Sequence, residues 1–211
     1  EEGESAIGPA AMSLEGMDSP EARRLRAKLL ILWSHFHVEL GRKRPALRAA
    51  RQGMELLRDL EQEGHDVRSE MALAVIHRAR LERYFDSDPL RAKKTYEEAA
   101  ARYEEVGDRW GLARAVAYLG WIAEHLGHYA EARQLCERSR AIRQQLGDRR
   151  GMADAMVSLG VICWVQGHLD EAEALVRESM GIFRELDDWN RVAHAIKSLG
   201  EKAARHIVEE R

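Results

Sequence analysis

The sequence predicts an all-α protein, an α-solenoid of about nine helices stacked as antiparallel pairs. Three observations carry that prediction. The stretch Gly107–Leu146 is written again as Gly147–Leu186, and Leu119-Gly120 recurs as Leu159-Gly160 and Leu199-Gly200, a step of 40 residues each time. A fixed period of this size marks supersecondary units that bury their apolar faces by stacking. Pro20, Pro45 and Pro89 each stand at an expected helix start, and no proline follows Pro89; a first-turn proline costs no helical hydrogen bond. A composition of 45% hydrophobic, 33% charged and 6% aromatic residues suits helices with one apolar stripe each.

Taken in order, residues 1–17 carry Glu1, Glu2, Glu4 and Glu15 with no Lys or Arg, and Gly3, Gly8, Pro9 and Gly16 interrupt them. They are expected as an acidic leader or linker. The helical repeat domain is expected over 18–211. Its first helix begins with Ser19 as N-cap and Pro20 as first residue. Leu25, Leu29, Leu32 and Phe36 then fall at helical spacing, Leu30, Trp33 and Leu40 widen the stripe, and Gly41 ends it. A second helix runs from Pro45 through Leu47, Met54, Leu57 and Leu60 to Gly64. A third covers Val67 to Phe85. Asp86-Ser87-Asp88-Pro89 is a stop followed by a start, and the fourth runs from Leu90 to Val106. The expected pairs are 18–64, 65–106, 107–146 and 147–186, with a final helix over 188–211 whose charged residues serve as a polar cap.

The central turns have a mechanism. Gly107 and Gly147 can close a helix in the left-handed conformation, and Asp108 and Asp148 can cap the next one. At the third junction Asp187-Asp188 replaces Gly-Asp. Gly127 and Gly167 mark the turn inside each pair. Gly120, Gly160 and Gly200 sit mid-helix, where glycine costs roughly 1 kcal/mol against alanine. Close approach of a neighbouring helix, with Ala132 and Ala172 as the facing small residues, is the expected compensation.

On Leu119-Gly120, Gly127-His128-Tyr129-Ala130-Glu131-Ala132, and the copies Leu159-Gly160 and Gly167-His168-Leu169-Asp170-Glu171-Ala172, the chain resembles tetratricopeptide repeat (TPR) proteins. Its 40-residue step exceeds the 34 of the standard unit. It is similar to the longer variant of bacterial signalling and regulatory proteins, including the sensor regions of STAND-type nucleotide-triphosphatase switches, and of kinesin light chains. The N-terminal half departs from the pattern: Gly41 and Ala46 keep the five-residue offset, but Ser87 replaces the turn glycine and Ala79-Arg80 replaces Leu-Gly.

The resemblance implies a right-handed superhelix whose first helices line the inner face. That face would offer Arg114, Ala117, Trp121, Glu124 and His125, then Asp154, Val157, Val161, Trp164 and Val165. It would continue to His194, Lys197, Glu201 and Arg205 at one end. At the other lie His77, Leu81 and Tyr84, then Lys28, Ile31, His35 and Val38. Aromatics, histidines and both signs of charge suit a protein or peptide segment laid along this concave groove. Trp121 and Trp164 could instead pack between repeats. The resemblance further implies a non-catalytic module, the sensor or scaffold part of a larger bacterial regulator with a linked NTPase or DNA-binding domain. A stand-alone sensor of a small molecule or short signalling peptide is the alternative.

Other classes find no support. There is no phosphate loop, no His-Glu-x-x-His and no nucleophile elbow, so no catalytic residues are expected. The nine histidines scatter over different helices, and no metal site or cofactor is expected. His128 and His168 take equivalent turn positions as solvated or capping residues, and Cys136 and Cys163 read as small core residues. A net charge of -3 provides no global field for nucleic acid or a membrane surface. No apolar run reaches the ~18 residues of a membrane span, the opening Glu1-Glu2-Gly3-Glu4 does not read as a secretory signal, and a cytoplasmic setting is expected. The missing initial Met reads as a fragment or a processed chain. Between Glu21 and Arg51 the sequence is basic (Arg23, Arg24, Arg26, Lys28, Arg42, Lys43, Arg44, Arg48, Arg51), expected as a solvated face, a surface for an acidic partner, or a dock for the acidic leader.

Overall fold

The computed structural model describes residues 2–86, 88–197 and 200, with side chains from residue 7 onward. Among the described residues it is all-α, with nine α-helices, one π-helical turn, a helical stretch at 189–197 and no strand. The helices gather into two compact units, residues 1–111 and 112–211.

The first unit holds α1 (Glu2–Ser13), α2 (Pro20–Glu39), α3 (Lys43–Gln62), α4 (Arg68–Leu81) and α5 (Pro89–Glu105); a π-helical turn, Glu82–Asp86, extends α4. Two helix starts follow from cap chemistry. Ser19 Oγ accepts the Ala22 N–H at 3.2 Å, Asp88 Oδ1 accepts the Arg91 N–H at 3.0 Å, and Pro20 and Pro89 open the helices they precede. Residues 1–17 are not the unstructured leader that their glycines and proline predict. They carry α1, which packs on α2. Gly8 permits this: a Cβ there would stand 2.6 Å from Trp33 Cζ2. The residue that weakens the helix is the one that lets it dock.

The stripe expected on α2 is also rotated. Leu25 and Leu32 are exposed, whereas Ala27, Leu30, Ile31, Ser34 and Val38 are buried. Because α2 is packed by α1, α3 and α4, small residues win its interior face. Ala27 and Ile31 join Leu57, Leu60, Val67, Met71 and Ala74 in one core. Gly53 marks the crossing of α2 and α3, where a Cβ would lie 3.0 Å from the Ala27 carbonyl oxygen and 3.0 Å from Ile31 Cγ1. Two carboxylates are buried, and both are paired. Glu70 takes Arg24 Nε at 3.2 Å and Lys28 Nζ at 2.7 Å. Glu82 accepts from Thr95 Oγ1 at 2.6 Å and meets Arg91 Nε at 3.3 Å. Pairing is what makes such burial tolerable.

The second unit holds α6 (Arg109–His125, whose first residues belong to the first unit), α7 (Tyr129–Gln145), α8 (Arg149–Val165) and α9 (Leu169–Glu185), then residues 189–197. The mid-helix glycines are packing residues. At Gly120 a Cβ would stand 2.9 Å from Cys136 Sγ; at Gly160 it would stand 2.7 Å from Val176 Cγ2 and 3.3 Å from the Ala172 carbonyl oxygen. Gly200 does not repeat this role: its φ is +76° and its Cβ position meets nothing within 4 Å. Leu199 and residues 201–211, with the expected Glu201, Arg205 and the terminal polar cap, lie outside the described residues.

The turns recur as the spacing predicts. Gly127 and Gly167 take φ of 76° and 82°. Asp148 Oδ1 accepts the Gly151 N–H at 2.8 Å, and Asp188 Oδ1 accepts the Arg191 N–H at 3.2 Å, a cap repeated after 40 residues. Asp108 does the same for Gly111 in the first unit, at 2.9 Å. Asp187, in the place of the junction glycine, is driven to φ 54°. Apolar contact fills the rest: Ala123, Ala132, Cys136, Leu159 and Ile162 form one cluster, and Ala153, Met156, Val157, Val176, Phe183 and Val192 another.

Candidate functional site

In the second unit the expected first-helix residues lie on α6 and α8. On α6, Trp121 and His125 lie one turn apart and their rings meet, centroids 3.6 Å apart at 38°. His125 Nδ1 also lies 2.9 Å from the Trp121 carbonyl oxygen. Trp121 is half-buried and His125 exposed. Glu124 is half-buried beside them, 4.0 Å from His125 Nδ1. Burial pushes its carboxyl above the usual value, and the neighbouring imidazole pulls it back. On α8, Trp164 is 44% exposed with Val165 exposed next to it, while Val161 is half-buried. The indole of Trp164 therefore does not serve as core.

Asp154 sits three turns earlier on α8. It is half-buried and bound to Arg191 Nη1 at 2.8 Å. Burial pushes its carboxyl up; Arg191 and then Arg143 and Arg150 draw it down. Arg114, the residue of opposite charge in the preceding copy, is half-buried on α6. Between them α6 and α8 carry two indoles, an imidazole and two carboxylates at these positions, with guanidinium groups beside them. Such a set can stack on apolar side chains and hydrogen-bond both signs of charge.

Several predicted site residues lie elsewhere. Val157 is 5% exposed and packs with Ile182, Phe183 and Val192, so it belongs to the core rather than to a face. His77 belongs to the first unit, is 5% exposed, and meets His35 edge-on at 5.1 Å between ring centroids. It is no groove residue, because α4 packs against α2, α3 and α5 and buries most of its positions, Leu81 included. Tyr84 is exposed on the π-helical turn, with the Arg83 guanidinium carbon 5.3 Å from its ring centre. Lys197 is exposed.

Arg191 escaped the sequence reading although a signal was present. It stands 40 residues after Gly151, at the point where the first two copies both have glycine. A Cβ at Gly111 would run into the Tyr103 ring at 2.2 Å, whereas one at Gly151 would meet the movable side-chain ends of Arg143 and Asp148.

The thiols are not candidates for chemistry. Both are buried, and burial pushes Cys136 up to about 12 and raises Cys163. Among the described residues no group of three His, Cys, Asp or Glu side chains could hold a metal ion. No described helix is long and apolar enough to cross a membrane.

Comparison with known proteins follows the same geometry. Residues 114–185 match the tetratricopeptide repeat family model. No curated protein matches the chain in sequence. Among solved structures, a Signal Transduction ATPase with Numerous Domains protein with a tetratricopeptide repeat sensor, from Pyrococcus horikoshii, is similar at 13% identity and TM-score 0.71, over 89% of this chain and 30% of that one. BtubC from P. vanneervenii is similar at 15% identity and TM-score 0.79, over 98% of this chain and 87% of that one. Aspartyl phosphate phosphatase F from Bacillus subtilis is similar at 14% identity and TM-score 0.74, over 89% and 50%. The chain therefore spans less than a third of the P. horikoshii protein and half of the B. subtilis one. At these identities the likeness is one of fold. Over residues 114–185, where the 40-residue helix pairs, the glycine contacts and the family match coincide, the chain carries tetratricopeptide repeats.

Proposed function

We propose that the chain is a non-catalytic module that binds a protein or peptide segment on the first-helix face of its second unit. The observation that carries this reading is the exposed indole of Trp164 on a helix whose other apolar positions, Val165 apart, are largely buried, in the register where α6 presents Glu124. An exposed Trp is the kind of side chain that anchors a recognition surface. Repeated scaffold residues hold the helices, and the positions where the copies differ carry specificity: Trp121 against Val161, Glu124 against Trp164, His125 against Val165, Arg114 against Asp154.

A random peptide library selected on the purified chain tests this. Selected peptides should bind the Trp121→Ala, Trp164→Ala double variant about tenfold or more weakly, a loss of about 1.4 kcal/mol, with helicity unchanged by circular dichroism. Undiminished binding by the double variant, or a library that yields no binder, contradicts the reading.

The same reading extends to context. The chain serves as the sensor or scaffold part of a larger signalling regulator, in which a partner on the repeats controls a linked NTPase or DNA-binding domain. Support comes from the P. horikoshii protein, whose repeats form a sensor and of which this fold spans 30%. The natural reading frame decides it: a nucleotide-binding loop or DNA-binding helix-turn-helix beside these repeats supports the regulator, and a frame without either supports a stand-alone sensor.

A further inference from the structure

The first unit contains a cavity of about 620 Å³ between α1, α2 and α3. That volume is in the range of small-molecule pockets. Its apolar lining comes from Ala11 and Met12 of α1, Leu30 and Trp33 of α2, and Pro45 and Ala49 of α3, with His37 and Gln52 as polar neighbours. It lies on the α1-facing side of α2, away from the Ala27–Ile31 core, and shares no residue with the face described above.

Charge at the cavity is unbalanced. Three arginines line it, Arg26, Arg44 and Arg48, against one carboxylate, Glu15. Glu15 is taken: its Oε1 binds Arg26 Nη2 at 2.7 Å. Elsewhere in the basic segment Arg23 pairs with Glu63, Arg24 and Lys28 with Glu70, and Lys43 with Asp86. Arg44 and Arg48 make no hydrogen bond or ion pair among the described residues, and both are exposed. They stand one turn apart on α3, where like charges repel. No acidic residue in the first turn of α3 offsets them.

We propose that this cavity is a binding site for a small amphipathic anion, an apolar chain seated against Trp33 with a carboxylate or phosphate head held between Arg44 and Arg48. The apolar walls would strip water from the chain, and the two guanidiniums supply the fork geometry that oxyanions fill. A cation is repelled by the same pair. A neutral alcohol gains the apolar term and leaves the arginines unmatched. Helix α1 is part of the site, held by the Gly8–Trp33 contact and the Glu15–Arg26 pair.

Isothermal titration of the full chain with decanoate, decyl phosphate and decanol tests it. At least one anion should bind saturably at one per chain and decanol at least about tenfold more weakly; which anion is tighter identifies the head group. Arg44→Gln with Arg48→Gln, two exposed positions, should weaken anion binding about tenfold or more while leaving the melting transition in place. Met12→Glu, which sets a carboxylate at the mouth, should weaken it as well. Trp121→Ala with Trp164→Ala should leave it unchanged, which separates this site from the peptide face. The inference is overturned if neither anion saturates, if decanol matches the anions, or if the double arginine variant binds as wild type. It is likewise overturned if light scattering shows a dimer that the anion dissociates, since a second copy would then be the occupant.

Discussion

Asp154 and Arg191, 37 residues apart, are joined by an ion pair of 2.8 Å that ties α8 to the helical stretch after α9. Burial nonetheless leaves the Asp154 carboxyl above its ordinary value of 3.8. A folded value above the unfolded one stabilises the protein below the unfolded value, and that contribution is lost as pH rises through the folded value. Wild type should therefore gain stability on Asp154→Asn as pH falls from neutral to about 4. Urea unfolding of both proteins at the two pH values measures it, and a difference that does not move with pH contradicts the assignment.

Two helical glycines should answer to alanine in opposite directions. Gly160→Ala adds a Cβ 2.7 Å from Val176 Cγ2 and close to the Ala172 carbonyl oxygen, and should cost about 1–3 kcal/mol despite the better helix propensity. Gly181 in α9 has nothing within 4 Å of its Cβ position, so Gly181→Ala should stabilise by about 0.5–1 kcal/mol. Equal effects at the two sites in chemical denaturation would refute the packing account.

Asp187 occupies a backbone conformation that costs an L-residue about 1 kcal/mol and a glycine almost nothing. Asp187→Gly restores the junction of the earlier copies and should raise stability by several tenths of a kcal/mol up to about 1 kcal/mol. A fall in the melting temperature would count against it.

Thr95 donates its hydroxyl to the buried Glu82 carboxylate at 2.6 Å. Thr95→Val keeps the shape and removes the donor. The expected loss is about 1–3 kcal/mol, because a buried charge is left with fewer partners. Thr95→Ser, which keeps the hydroxyl, should lose clearly less in the same unfolding assay.

Legibility in the sequence followed repetition. Gly120, Gly160 and the capping aspartates could be read because each occurs at the same place in two or three copies, and local chemistry explains them without knowledge of neighbours. The helix α1 could not be read, since Gly8 and Pro9 oppose helix by propensity and only the Trp33 surface overrides it. Solvent access was legible where the copies are regular: Trp121, Glu124, His125 and Trp164 keep at least part of their surface open, as the register predicts; Val157 is buried and was not legible as such, because a valine fits a seam and a groove equally well in the sequence. His77 and Tyr84 lie where the pattern loses its glycine. There the π-helical turn Glu82–Asp86 breaks the 3.6-residue register between the two, leaving one buried and the other exposed.

Asp108, Asp148 and Asp188 cut the chain at equivalent points 40 residues apart. The stretch between two such cuts is self-sufficient at both ends. Residues 147–186 bring their own left-handed Gly147, their own cap and the Gly160 contact, and Arg150 reaches forward to bind Asp188 at 2.8 Å. A tandem duplication of this cassette would recreate a Gly-Asp junction and its arginine latch, with Val192 and Ala195 packing on the added copy in place of the original. Chain length can thus grow or shrink in quanta of one repeat, and every added copy of this cassette would bring one more exposed indole with it.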